Sequence, residues 1–164
     1  MRLIFLGTGT STGVPMVGCN CRVCTSSDER NQRTRSSILV ELPGGNVLID
    51  TTPELRVQLL RERIARVDAV LFTHYHADHI FGLDDIRVFP KLLGHAVPIY
   101  CERSVEFVMR RLFSYAFDER ALDVPVGGIP QIELRTIDGR RPSACGWRSS
   151  APSGGYRAPW IRTG

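Results

Sequence analysis

The pattern of apolar and polar positions predicts most of the elements of this chain. RLIFLG, Arg2 to Gly7, is an apolar run stopped by glycine and predicts a strand. SSILVEL and NVLID flank PGGN, where Gly44 and Gly45 can take positive φ, so the pair predicts a hairpin. TPELRVQLLRERI places Leu55, Leu59 and Leu60 at helical spacing, with Thr52 as the expected N-cap and Pro53 at the first helical position. DAVLFT predicts a buried strand, and VPIYC another. SVEFVMRRLFSYAF puts Val105, Val108, Met109 and Leu112 on one helical face behind a Ser104 cap. QIELRTI alternates as a strand does. Hairpins mixed with strand–helix alternation point to an α/β or α+β sandwich rather than a uniform βαβ array.

Length and composition narrow this picture. A chain of 164 residues that is 43% hydrophobic and 23% charged fits one soluble domain with a real core. It has no apolar run long enough to span a bilayer and no export signal, so a cytoplasmic protein with no membrane partner is expected. The net charge of +4 is unevenly placed. All 17 acids lie at or before Asp138 and five arginines follow it, so residues 1–138 carry −1 and residues 139–164 carry +5. The body therefore has no bias toward phosphate backbones, and nucleic acid is not an expected partner. Residues 139–164 are rich in Arg, Gly, Ser and Pro, keep neither helical nor strand period, and predict a disordered tail behind a domain of residues 1–138.

The chemistry concentrates in LFTHYHADHIFGL, Leu71 to Leu83. His74, His76, Asp78 and His79 are four metal-ligand types within six residues, between an apolar strand and a helix. His74 and His76, two apart in extended chain, fall on one side and suit one ion. Asp78 and His79 follow a turn and suit a second. Two ions roughly 3.5–4 Å apart can clamp a phosphoryl or carbonyl oxygen around a shared water. Surface histidines in a polar loop are the competing explanation, and the density of ligands weighs against it.

The pattern H-x-H-x-D-H at His74–His79 resembles the signature of the metallo-β-lactamase-fold hydrolases. FLGTGTSTGVP, GCNCRVC, RTRSSILVE, LIDTTPELR and HADHIFGLDDIR together resemble one branch, the cyclic-phosphate phosphodiesterases related to phosphonate breakdown, over about residues 1–138. The resemblance implies an αββα sandwich, of which this chain would form the N-terminal portion, with two divalent ions, zinc or manganese, at one edge. It implies His74 and His76 on the first ion, Asp78 and His79 on the second, and Asp50 beneath the site as an orienter of ligands. The implied reaction is hydrolysis of a small cyclic phosphate ester by water activated on the metals, with Asp78 also helping to orient or deprotonate that water. A small phosphate ester is thus the expected partner, and a homodimer is an open alternative to a monomer. Thr52 stands where the family often has glycine.

Cys19, Cys21 and Cys24 form C-x-C-x-x-C, three thiolates that can wrap one structural zinc. Partly buried reduced thiols are the alternative. The family resembled completes such a site with a late histidine. The last histidine here is His95, in the loop of LLGHAVP, and it is expected to be solvated. Cys101 ends an apolar strand and is expected to be a small buried residue. GTGTSTG places Thr12 where a dinucleotide fingerprint needs its third glycine and has Pro15 soon after, so it is not a dinucleotide loop. A loop near the metal edge is expected, with Thr10 and Ser11 as candidate phosphate contacts.

The resemblance also implies a third ligand for the first ion, a bridging aspartate and a final histidine downstream of QIELRTIDG. No histidine and no acid lie there. The expectation is a truncated or frame-shifted member. Two further functions stay open: a transfer-RNA 3′-end endonuclease of the same fold, and a non-catalytic remnant with a partial metal site. The cysteine trio and the absence of a basic patch favour the phosphodiesterase.

Overall fold

The computed structural model describes residues 1–117 and 128–137. Six strands form one sheet in chain order: β1 (Arg2–Gly7), β2 (Ser37–Leu42), β3 (Gly45–Ile49), β4 (Ala69–Leu71), β5 (Val97–Cys101) and β6 (Ile132–Thr136). β1, β2 and β3 pair antiparallel, as a hairpin requires, whereas β3 through β6 are parallel. Parallel neighbours need crossovers, which carry the helices. α1 (Leu55–Arg61) links β3 to β4. α2 (Ala77–Ile80), a 3₁₀ segment (Leu83–Val88) and α3 (Phe89–Leu93) link β4 to β5, and α4 (Arg103–Leu112) leads from β5 toward β6.

Strand sequence tracks strand environment. β5 is apolar throughout and buried at every position, as expected of a strand inside a parallel sheet. In the antiparallel part burial alternates: Leu6 and Leu39 are fully buried, whereas Leu3 and Phe5 are 52% and 62% exposed. The core joins Leu6, Leu39, Leu48, Val70 and Ile99 of the sheet to Leu55, Ile80, Ile86 and Met109 of the crossovers. Cys101 is fully buried there, and burial pushes its thiol up to about 11, so it is an inert core residue as its strand-end position suggested. Met109 has no exposed surface, so Met109→Ala should leave a cavity and cost about 2–5 kcal/mol, read from the midpoint of urea unfolding.

Several local expectations are corrected. α1 starts at Leu55 with Glu54 at its N-cap, because the Thr52 hydroxyl donates to Gln58 Oε1 at 3.1 Å rather than capping the helix. α4 starts at Arg103 behind Glu102, so Ser104 lies inside the helix. Leu60 and Leu112 point outward, 62% and 50% exposed, while Val105 and Met109 face the core. Leu83–Val88, which holds the DDIR run, is 3₁₀ structure with Leu83 and Ile86 buried. The described residues form one sheet with its crossovers, so the implied sandwich is represented by a single sheet. Residues 139–164, expected to be disordered, lie outside the described residues. No described helix is long and apolar enough to cross a membrane.

Candidate metal centre

The site is built where the parallel strands β3 and β4 end side by side, the edge at which open α/β sheets place their ligands. Asp50 follows β3, and its N–H donates to the Leu71 carbonyl at 2.9 Å, carrying the ladder one step past the end of β3. Asp50 has φ 61°, a left-handed conformation that Asp tolerates better than most residues. Only 4% of it is exposed. Its carboxylate collects three donors: Thr73 N–H on Oδ1 at 2.8 Å, the Thr73 hydroxyl on Oδ2 at 2.7 Å, and His79 Nδ1 on Oδ2 at 2.8 Å. A buried carboxylate needs such partners, and here Thr73 and His79 supply them.

Thr51 and Thr52, both fully buried, hold the short helix that carries Asp78 and His79. The Thr51 N–H donates to the His79 carbonyl at 2.7 Å and its hydroxyl to the Ile80 carbonyl at 3.1 Å. The Gly82 N–H returns to the Thr51 carbonyl at 3.0 Å. A Cβ on Gly82 would stand 2.0 Å from the Thr52 carbonyl oxygen, so this approach requires glycine.

The histidines gather above this floor. The His74 ring centroid lies 4.6 Å from that of His76 and 4.0 Å from that of His79. Asp78 Oδ2 is 3.3 Å from His79 Nε2. Burial, then the neighbouring His79 and His76, lowers the His74 pKa and favours the neutral imidazole that a metal needs. With Nδ1 of His74 and of His79 engaged by Thr73 and Asp50, each has its Nε2 left as the donor for an ion. The donor set therefore fits zinc or manganese chemistry. Its atoms are less tightly gathered than those of the cysteines: among the described residues, only Cys19, Cys21 and Cys24 bring three ligand atoms within 4.8 Å of one another.

Those cysteines sit on the loop between β1 and β2. Cys21 is exposed and its thiol is lowered to about 7, chiefly by the Cys24 backbone N–H and then by the Cys19 sulfur, so a thiolate forms readily. The Met16 N–H donates to Cys24 Sγ at 3.4 Å, which further shapes the nest. His95 stands apart, half-buried with its Nδ1 donating to the Ala96 carbonyl at 2.8 Å, rather than simply solvated. Cys24→Ser is expected to lower bound zinc by one equivalent per chain, measured by elemental analysis after dialysis against metal-free buffer.

The glycine loop answers to packing. A Cβ on Gly7 would lie 1.9 Å from the Arg35 carbonyl oxygen, and one on Gly9 2.5 Å from that of Arg33. Arg35 Nε donates to the Ser11 carbonyl at 2.7 Å, and Arg35 also pairs with Glu54. Thr10 bonds to Thr12 and to the Gly13 carbonyl within the loop. Sequence reasoning missed Gln58, a fully buried amide that donates to Thr34 Oγ1 at 3.0 Å and the Arg35 carbonyl at 2.9 Å while accepting from Thr52. Its signal was a polar residue between Leu55 and Leu59 on the buried stripe of α1.

The sequence profile of the beta-lactamase superfamily domain matches residues 45–151, a span that holds Asp50 and the whole H-x-H-x-D-H motif. The chain belongs to this superfamily and has the metallo-β-lactamase fold that the motif implied. A crystal structure of a diphosphatase from the PhnP family is 45% identical with a TM-score of 0.72, the match covering 83% of this chain and 50% of that one. An octanoyltransferase of Porphyromonas gingivalis is 44% identical over 136 residues, 82% of this chain and 26% of that protein. PqqB from Methylobacterium extorquens, solved with Zn²⁺ bound, shares the fold at 24% identity and a TM-score of 0.60, covering 84% of this chain and 50% of that one. The chain thus spans half the length of these two solved structures and about a quarter of the octanoyltransferase.

Proposed function

We infer that this chain carries the ligand segment of a metal-dependent phosphodiesterase whose substrate is a small cyclic phosphate ester. The observation that supports this most is the buried Asp50 carboxylate, which braces the H-x-H-x-D-H segment from below through Thr73 and His79. The 45% identity to a diphosphatase supports a phosphoryl substrate within the superfamily. His74 and His76 would hold one divalent ion, and Asp78 and His79 a second. Bound zinc or manganese would supply Lewis-acid polarisation of a phosphoryl oxygen and a water of lowered pKa. The protein's own part is orientation. Asp50 fixes the His79 ring, Thr51 anchors the carbonyl end of α2, and Asp78 stands beside His79 Nε2 where it can orient a water. The cysteine trio would hold a separate structural zinc.

The test compares bis(4-nitrophenyl) phosphate, a 2′,3′-cyclic nucleotide and a model transfer-RNA hairpin in the presence of Mn²⁺ or Zn²⁺. Slow turnover of the small esters that His76→Ala abolishes is the expected result, because no histidine or acid follows QIELRTIDG to complete the implied ligand set. Preferential cleavage of the hairpin would favour the endonuclease, and metal binding without turnover of any of the three would favour the non-catalytic remnant.

A further inference from the structure

Thr73 lies between two groups that together fix its proton. Its hydroxyl oxygen is 2.7 Å from Asp50 Oδ2 and 2.9 Å from His74 Nδ1. A hydroxyl has one proton to donate and lone pairs to accept with, whereas an ionised carboxylate only accepts. The Thr73 proton therefore lies on the line to Asp50. What Thr73 presents to His74 is a lone pair, so the hydrogen in that second bond belongs to His74 Nδ1. His79 reaches the same state without an intermediary, its Nδ1–H donating to Asp50 Oδ2 at 2.8 Å. One buried carboxylate thereby sets two imidazoles, one directly and one through a hydroxyl. The brace is rigid, because the Thr73 N–H is bound to Asp50 Oδ1 at 2.8 Å and the Asp50 N–H to the Leu71 carbonyl at 2.9 Å.

We propose that Thr73 is a positioning residue that holds His74 in the Nδ1–H tautomer and so leaves its Nε2 lone pair free for an ion. The consequence for metal binding rests on His74 being a ligand, whereas the tautomer is a property of the metal-free chain. Which nitrogen of a histidine is protonated is set by the hydrogen bond the other makes, and the same bond fixes the ring's direction. A threonine preceding a ligand histidine otherwise reads as the last residue of a strand. Here its hydroxyl links the ligand to the carboxylate that steadies the neighbouring ligand.

The full chain, labelled with ¹⁵N at histidine, tests this by two-bond ¹⁵N–¹H correlation NMR above pH 7 without metal. His74 and His79 are both expected as Nδ1–H. Thr73→Val should return His74 to the Nε2–H form or a mixture and leave His79 unchanged, and Thr73→Ser should restore the original pattern. Zinc affinity at the histidines should fall about tenfold in Thr73→Val and stay within about twofold in Thr73→Ser. An Nε2–H form of His74 in the unsubstituted chain would overturn the proposal, as would a Thr73→Val variant whose His74 tautomer does not change. Absence of zinc binding at the histidines would overturn the functional reading, while the NMR result would still decide the role of Thr73.

Discussion

Replacing Asp50 by alanine is expected to destabilise the fold by about 2–3 kcal/mol and to abolish saturable metal binding at the histidines. Three donors converge on this one carboxylate, two from Thr73 and one from His79. Removing it takes from the Thr73 amide and the His79 imidazole the acceptor they share, a carboxylate that is itself only 4% exposed. Net loss of about 1 kcal/mol for each bond sets the size of the effect. The backbone adds to it, because alanine tolerates the φ of 61° less well than aspartate does. Asp50→Asn separates the two contributions. Asparagine accepts the left-handed conformation, and its amide oxygen can keep one or two of the bonds. Its NH₂ group then faces either the Thr73 N–H, in the place of Oδ1, or both the Thr73 hydroxyl and His79 Nδ1, in the place of Oδ2, so it cannot satisfy all three donors. The asparagine variant should fold with a smaller loss and still bind zinc more weakly, by urea unfolding and calorimetric titration. Unchanged zinc affinity in Asp50→Ala would show that the brace plays no part in the site.

Gly82→Ala is expected to be as damaging although Gly82 carries no chemistry. Its added Cβ would sit 2.0 Å from the Thr52 carbonyl oxygen and 2.9 Å from the Thr52 carbonyl carbon. Both are backbone atoms of a fully buried residue, so no side chain can rotate away. Either the turn after α2 or the segment after Asp50 must shift, and the bond from the Gly82 N–H to the Thr51 carbonyl stretches with it. That bond and those from Thr51 to His79 and Ile80 seat α2, which carries Asp78 and His79. A loss of about 3 kcal/mol and weakened zinc binding should follow. Gly94→Ala is the matched control. Gly94 has φ 75° but nothing within 4 Å of the position of a Cβ, so alanine there meets only the conformational penalty of about 1–2 kcal/mol and should bind zinc normally. Equal stability and zinc affinity in Gly82→Ala and the parent would contradict the packing argument.

The parts of this protein legible in the sequence were those set by local pattern. β5 declares itself because a strand buried on both faces needs an unbroken apolar run, and VPIYC supplies one. The hairpin of β2 and β3 follows from PGGN, and the H-x-H-x-D-H cluster is visible because its ligands are adjacent in sequence. Asp50 was placed beneath the site by its resemblance to a family residue, and the geometry supplies its reason in three converging donors. Other features depend on neighbours distant in the chain. Thr52 has the residue type and place of an N-cap, yet Gln58 captures its hydroxyl and the helix starts later. Leu60 and Leu112 fit helical periodicity, but the sheet lies under Leu59 and Met109 instead. Gly7 and Gly9 of GTGTSTG answer to the Arg35 and Arg33 carbonyls, which stand where their side chains would be. Thr73 gave no signal, since its role lies in what its hydroxyl joins.

The proposed metal site lies at the ends of β3 and β4, and the cysteine trio on the loop between β1 and β2 is a second candidate. The most direct test is calorimetric zinc titration of the full chain in which Cys19, Cys21 and Cys24 are all serine, with and without His76→Ala. Saturable zinc binding in the cysteine-free chain that disappears with His76→Ala is the predicted result. A cysteine-free chain that binds no zinc, or binds it equally well without His76, would contradict it.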